Sequence, residues 1–260
     1  MARQAANVVG AIFHVVAGLF LADGAFPDED ITLIQPSNYA FVIWAPIFLS
    51  LLAYAAYQAL PTKRESPLLR GIGPYTAAAF FLNGVLEILS SPNNFVITQA
   101  LVLVMLLCLA VAYLRLMRSA EEAMGAGARW LVALPVALFF GWITAANVVG
   151  AAQVLGYLGL PSGGLADALA GAALLLAGGC VASAALLAGK AGPLQGSLTY
   201  AVAVLWALLG VVANQYDASL LTTGAALLGV ALVGLVLLDV FRGGGRAHRG
   251  AGQAPGHGTA

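Results

Sequence analysis

Long apolar stretches separated by short polar breaks dominate the sequence. Eight of them reach or approach the roughly 20 residues that a helix needs to cross about 30 Å of hydrocarbon. They cover residues 5–22, 38–60, 74–90, 95–116, 130–155, 165–188, 196–214 and 218–241. The breaks hold prolines, glycines and charged residues, as in the acidic segment 23–36. The pattern predicts an all-α polytopic bundle of eight membrane-spanning helices.

The basic residues fall at one end of this predicted bundle. All 11 Lys and Arg lie before span one, after span eight, or at the connections between spans two and three, four and five, and six and seven, with Arg115 at the very end of span four. Cytoplasmic loops carry the excess of Lys and Arg, so we predict that both termini are cytoplasmic and that the protein lies in the cell (inner) membrane. As an alternative, span one loosely resembles a signal peptide, whose cleavage would leave seven spans.

The short connections predict one transmembrane domain over residues 1–241. Beyond it, residues 242–260 are Gly, Arg, His and Ala without a period, which predicts a disordered cytoplasmic tail. Pro46 and Pro135 fall inside spans two and five, where each removes a backbone hydrogen bond. We expect kinks at both prolines.

Composition narrows the class of protein further. Apolar residues make up 61% of the chain and charged residues only 8%, against about 25% charged in a soluble domain. The 11 basic and 11 acidic residues balance, which excludes a nucleic-acid binder. Neither cysteine has a metal-ligand spacing, and enzyme motifs such as Gly-x-Ser-x-Gly are absent. We therefore expect no enzyme, no catalytic residues, no metal and no cofactor.

Polar residues inside the spans are candidates for chemistry, because an ionisable residue in a membrane is a functional hypothesis by default. Glu87 follows Asn83 by one helical turn, so the two share a face. With Trp44 and Asn147 they lie in the half of the bundle beneath segment 23–36. This distribution predicts a cavity that opens outward. The alternative is that each polar group bonds a neighbouring helix, and for His14 we favour a packed, neutral imidazole.

Three segments carry a family resemblance. The second span begins Pro-Ser-Asn-Tyr-Ala-Phe-Val-Ile-Trp-Ala-Pro-Ile-Phe, from Pro36 to Phe48. The other two are Phe-Leu-Asn ending at Asn83, and Leu-Pro followed by Gly-Trp-Ile-Thr-Ala-Ala-Asn ending at Asn147. Together they resemble the tryptophan-rich sensory protein, or translocator (TspO/MBR), family, and more closely its longer eight-helix relatives.

The resemblance implies a five-helix core over residues 5–155 and a three-helix extension over residues 165–241. It further implies a ligand-binding or sensory protein that holds a planar hydrophobic ligand, a tetrapyrrole or sterol-like molecule, in a bundle cavity beneath the first loop. The sequence departs from the family where Leu86 replaces an expected Trp and Phe48 an expected Tyr. The roles of those missing aromatic residues are therefore not transferred.

The candidate site combines both lines of reasoning. Trp44 and Trp142 offer flat faces to a planar ligand, Asn83 and Asn147 could fix its polar edge, and Glu87 completes the ligand-binding set. A second hypothesis is a small-solute or proton-coupled transporter with Glu87 as the coupling acid. A third hypothesis, an enzyme acting on a lipid or tetrapyrrole, has the least support, because the sequence shows no acid–base pair.

The partners expected are the lipid bilayer and a hydrophobic small molecule. A further copy of the chain could dock through helix faces of small residues, of which 170–173 and 178–179 are examples.

Overall fold

The computed structural model describes residues 1–20, 32, 34–90, 94–119, 124–160 and 164–251, with side chains up to residue 242. All regular structure within these ranges is helical. Most of the first loop and the tail from residue 252 lie outside the described residues. The expectations of a loop that covers the site and of a disordered tail therefore stay predictions.

Eight long helices follow one another along the described part of the chain. They are α1 (Ala2–Phe20), α2 (Trp44–Ala59), α3 (Pro67–Leu89), α4 (Phe95–Met117), α5 (Ala126–Tyr157), α6 (Leu165–Ala188), α7 (Leu194–Gln215) and α8 (Leu220–Ala251). Each is long and apolar enough to cross a membrane, α8 over its part Leu220–Arg242. The prediction of eight spans is confirmed.

Helix α3 begins seven residues before the predicted start of its span. Ser66 precedes its first turn and its side chain accepts a hydrogen bond from the backbone N–H of Leu69 at 3.5 Å. Pro67 occupies the first helical position, where its missing N–H costs nothing. The helix starts at these capping residues, and the apolar stretch begins only later.

Both prolines expected to kink their helices coincide with departures from α geometry. A 3-10 stretch, Asn38–Ile43, leads into α2, so Pro46 lies in the first turn of that helix. In α5 a π stretch, Arg129–Ala133, stands directly before Leu134 and Pro135. Pro46 therefore removes no hydrogen bond of α2, and the π stretch before Pro135 is a change in hydrogen-bond register.

The helices form two groups that share α5. In the first group α1 packs on α3, α3 on α4, α4 on α5, α5 on α2 and α2 on α1, which closes a ring of five. In the second group α5 packs on α7 and α6, and both of these pack on α8. This arrangement agrees with the predicted five-helix core and three-helix extension.

Helices α5 and α7 approach each other closely at Gly141. A Cβ atom added at Gly141 would lie 2.5 Å from the backbone oxygen of Tyr200 and 2.8 Å from the Cβ of Ala203. In lipid, helices associate through such close packing because apolar burial alone gives them little drive. Gly141 is therefore the residue that lets the extension dock on the ring.

The direction of the helices separates two ends of the bundle. At the first end, which we call the basic end, α1, α3, α5 and α7 begin and α2, α4 and α6 terminate, together with the described Lys and Arg residues. Ion pairs lie there, among them Arg70 with Glu65 at 2.9 Å and Lys190 with Asp239 at 2.6 Å. The opposite end, the acidic end, adjoins the first loop. Which side of the membrane each end faces stays a prediction.

Candidate ligand site

Two predicted site residues, Trp44 and Trp142, meet inside the five-helix ring. Their ring centroids lie 6.0 Å apart and the rings are nearly perpendicular, at 79°. Trp44 is the first residue of α2 and is only half-buried, whereas Trp142 on α5 is 4% exposed. Phe48, one turn after Trp44, stacks on it at 5.4 Å. The structure therefore brings together the two aromatic faces that the sequence proposed.

His14 lies against the same cluster and was not among the predicted site residues. Its ring centroid is 5.2 Å from Phe48 and Phe139, 5.8 Å from Trp44 and 6.2 Å from Phe80. The side chain is fully buried, and neither ring nitrogen has a hydrogen-bond partner. We call these five rings together with Trp142 the aromatic cluster. The sequence signal that could have identified His14 as a site residue was its position near the middle of span one.

Asn83 and Glu87 form a polar pair above this cluster. The Nδ2 of Asn83 donates a hydrogen bond to the Oε1 of Glu87 at 3.1 Å, and the two residues are 0% and 8% exposed. Both residues share a helix face with Phe80, which precedes them by three and seven residues. Glu87 therefore lies about 10 Å nearer to the acidic end than Phe80 does. The Oδ1 of Asn83 is buried without a hydrogen-bond partner.

Asn147 binds a neighbouring helix instead. Its Nδ2 donates to the backbone oxygens of Val102 on α4, at 3.1 Å, and of Ile143, at 3.2 Å. Gln99 of α4 donates in return to the backbone and side-chain oxygens of Asn147. The alternative reading, that a polar group serves helix packing, therefore describes Asn147. A place at the polar edge of a ligand stays a prediction for it.

A second polar network, which the sequence did not predict, lies on the basic side of the aromatic cluster. The hydroxyls of Tyr54 and Thr76 bond at 2.9 Å, and Thr76 donates to the Oδ1 of Asn7 at 2.6 Å. Asn7 in turn donates to the backbone oxygen of Gly73 at 2.9 Å. The ring of Tyr54 also contacts Phe80 at 6.1 Å. This network ties α1, α2 and α3 together beneath the cluster.

Trp44 is positioned by the extension. Four hydrogen bonds between described residues fix the segment before it, residues 34–43, on α7, and the longest runs from the hydroxyl of Tyr39 to the oxygen of Leu209 at 3.5 Å. The backbone N–H of Ser37 donates to the oxygen of Gly210 at 3.0 Å, and the indole N–H of Trp206 donates to the oxygen of Ala40 at 2.7 Å. The fourth runs from the Nδ2 of Asn214 to the oxygen of Gln35, at 3.2 Å.

Residues 21–31 lie outside the described residues, so an outward-opening cavity beneath the first loop stays a prediction. Among the described side chains, no three of His, Cys, Asp and Glu come together as a metal site. The arrangement instead offers aromatic faces, a polar pair and an amide oxygen with no partner.

Comparison with known proteins gives one match. A family model described as TSPO-like protein matches residues 9–238, which reach from α1 into α8. No curated protein and no solved structure matches the chain.

Proposed function

Because the chain belongs to the TSPO-like protein family, and is an integral membrane protein with eight membrane-compatible helices, we propose that it is a ligand-binding or sensory protein of the TspO type. Its proposed ligand is planar and hydrophobic, a tetrapyrrole or a sterol-like molecule. The observation that carries the proposal is the contact of Trp44 with Trp142 inside the five-helix ring.

The aromatic cluster suits a planar ligand. An offset-stacked or edge-on aromatic contact contributes about 0.5–1.5 kcal/mol beyond the burial of area. Trp44 is half-buried, so part of its surface is open to a ligand that enters at the edge of the ring. The perpendicular Trp142 then offers its edge to the same molecule.

The polar pair supplies orientation. A buried acceptor without a partner costs about 1–3 kcal/mol, and the Oδ1 of Asn83 is such an acceptor. A ligand that donates a hydrogen bond there, such as a pyrrole N–H or a sterol hydroxyl, recovers this free energy. Glu87 is held beside it by the Asn83 amide and is the second acceptor at this edge.

The test is a tryptophan-quenching titration of the purified protein in detergent with a porphyrin and, separately, a sterol. We expect saturable quenching by one of them and about tenfold weaker affinity in the double variant Trp44→Phe/Trp142→Phe, which is about 1.4 kcal/mol. Affinity is the criterion, because loss of a tryptophan lowers the signal in any case. Trp130→Phe is the matched control, since Trp130 is 58% exposed and lies at the basic end.

A second pair of variants tests the polar edge. We expect Asn83→Leu to weaken binding of the same ligand about tenfold and Asn147→Leu to weaken it less, since the amide of Asn147 also bonds α4. Equal affinity in the wild type, the double tryptophan variant and Asn83→Leu would reject the proposed site.

Proton-coupled transport is the second candidate, and the buried Glu87 carboxyl favours it. It is 8% exposed within a membrane-spanning helix, where carboxyl groups mark ion and proton pathways. Flux into proteoliposomes should then depend on a pH gradient and fall with Glu87→Gln. Flux that responds to neither removes this candidate.

A further inference from the structure

Two residues inside the five-helix ring carry buried polar atoms that the packing of the helices does not use. Both ring nitrogens of His14 and the Oδ1 of Asn83 have no hydrogen-bond partner in the described part of the chain. Both side chains are 0% exposed. Buried polar atoms are normally bonded to the protein, to water or to a ligand, so these atoms call for a partner that helix packing does not supply.

The two residues lie at the same depth in the bundle. Helices α1 and α3 pack on each other and both begin at the basic end, so they run in parallel. A Cβ at Gly10 would lie 3.2 Å from the Cβ of Phe80. Four residues farther along each helix are His14 and Gly84. The imidazole of His14 is therefore level with Asn83, the neighbour of Gly84.

Both side chains also face the interior of the ring. His14 contacts the ring of Phe80 at 6.2 Å, and Asn83 shares the helix face of Phe80. The Nδ2 of Asn83 bonds Glu87, which lies toward the acidic end. The Oδ1, at the other corner of the amide, is turned away from Glu87. The unpartnered atoms of His14 and Asn83 therefore border one space beside the aromatic cluster.

The chemistry of these atoms selects a hydroxyl group. A neutral imidazole carries one N–H donor, and the Oδ1 of an amide only accepts. A hydroxyl accepts one hydrogen bond and donates another at the same oxygen atom, whereas a carbonyl or an ionised carboxylate only accepts. Of the two proposed ligand classes, a sterol carries such a hydroxyl at one end of a rigid ring system, and protoporphyrin has none.

We propose that His14 and Asn83 together bind the hydroxyl of a flat, rigid alcohol of the sterol type, and that the site selects this class over a porphyrin. The N–H of His14 donates to the hydroxyl oxygen, the hydroxyl donates to the Oδ1 of Asn83, and the ring system lies against the aromatic cluster. This inference rests on the proposed ligand site. It adds His14 to the residues that contact the ligand.

The experiment compares three steroids that differ at one carbon atom. Dehydroergosterol, a fluorescent sterol, is bound to the purified full chain in detergent and followed by energy transfer from the tryptophans. Cholestanol, cholestanone and cholestane, which carry a hydroxyl, a carbonyl oxygen or only hydrogen at the same carbon, then compete with it. We expect the wild type to bind cholestanol about tenfold more tightly than cholestane, because cholestane leaves the buried polar atoms without partners.

Two variants separate the two hydrogen bonds. Cholestanone accepts the bond from His14 but donates none to Asn83, so its affinity should lie about threefold from that of each of the other two compounds. Asn83→Leu should remove the preference for cholestanol over cholestanone, and His14→Phe should remove the preference for cholestanone over cholestane. Each preference is a ratio within one variant, so a general loss of stability does not change it.

Ser183→Ala is the matched control. It also removes a buried polar atom without a partner, since the Oγ of Ser183 has none and the residue is 6% exposed. Ser183 lies on α6, in the extension, and its substitution should keep both preferences.

The outcomes separate this inference from the proposed function. Equal affinity of the wild type for cholestanol and cholestane would overturn hydroxyl recognition and leave the aromatic site in place. Preferences that survive in His14→Phe and Asn83→Leu would assign the hydroxyl to other residues. Saturable binding of a porphyrin without binding of dehydroergosterol would overturn this inference alone, and binding of neither would reject the proposed function as well.

Discussion

The imidazole of His14 is buried inside the ring of helices, at a position that an apolar side chain could occupy. Four aromatic side chains lie within 6.2 Å of its centroid, and both nitrogens are buried without a hydrogen-bond partner. Burying polar atoms in this way costs free energy. The present contacts of His14 are those of a packing residue.

This account predicts opposite effects of two substitutions at one position. His14→Phe keeps a flat ring, somewhat larger than imidazole, and removes the unpartnered nitrogens, so we expect unchanged or higher stability. His14→Ala leaves a cavity, and we expect a loss of about 3 kcal/mol, as for large-to-small changes in cores. The check is unfolding of the detergent-solubilised protein. If Phe destabilised the protein as much as Ala, a nitrogen of His14 would have a partner that matters.

The residue scale also shows where sequence reasoning stops. Depth in a span and the spacing of four residues were enough to pair Asn83 with Glu87. The same depth argument placed Asn147 beside them, but Asn147 faces α4. Depth does not say which way a side chain points, and in a membrane the apolar pattern does not say so either, since lipid and protein interior are equally apolar. The surroundings of His14 could not be predicted for the same reason.

At the scale of elements, α5 is the helix that joins the five-helix ring to the extension. It packs against α4 and α2 in the ring and against α6 and α7 in the extension. The length and apolar character of this helix followed from the sequence, with its start four residues later than observed. Its contacts with both the ring and the extension did not follow from the sequence. Contacts between distant helices leave no periodic signal in a uniformly apolar stretch.

Gly141 gives this role a quantitative test. Gly141→Ala places a methyl group 2.5 Å from the oxygen of Tyr200, and overpacking of this kind costs about 1–3 kcal/mol. We expect a lower melting temperature and weaker association of α5 with α7. Gly234→Ala is the control, since a Cβ there meets no atom within 4 Å and alanine favours a helix interior. Equal melting temperatures of the two variants would contradict the close approach.

At the scale of the whole molecule, charge sets the expected orientation. The described basic residues gather at one end, and the positive-inside rule places that end in the cytoplasm. The eight-span count came from the sequence because hydropathy and breaks between spans are local signals, whereas the division into a five-helix core and a three-helix extension was implied by the family resemblance. Side-chain contacts between helices were accessible only through the family resemblance.

The orientation can be measured by labelling with a membrane-impermeant maleimide. In a Cys108→Ala/Cys180→Ala background, we expect Asp217→Cys at the acidic end to react in intact cells. Glu65→Cys at the basic end should react only after permeabilisation. The reverse pattern would place the termini outside. An intact N-terminal tag on the mature protein would exclude cleavage of the first span.

The order of helices around the five-membered ring differs from their order along the chain. Around the ring α2 stands between α1 and α5, although translation produces α3 and α4 in between. A nascent chain with four inserted helices therefore has a gap beside α2, next to Trp44. The ring closes only when the ribosome has delivered the fifth helix. Without α5, the ring is open between α2 and α4.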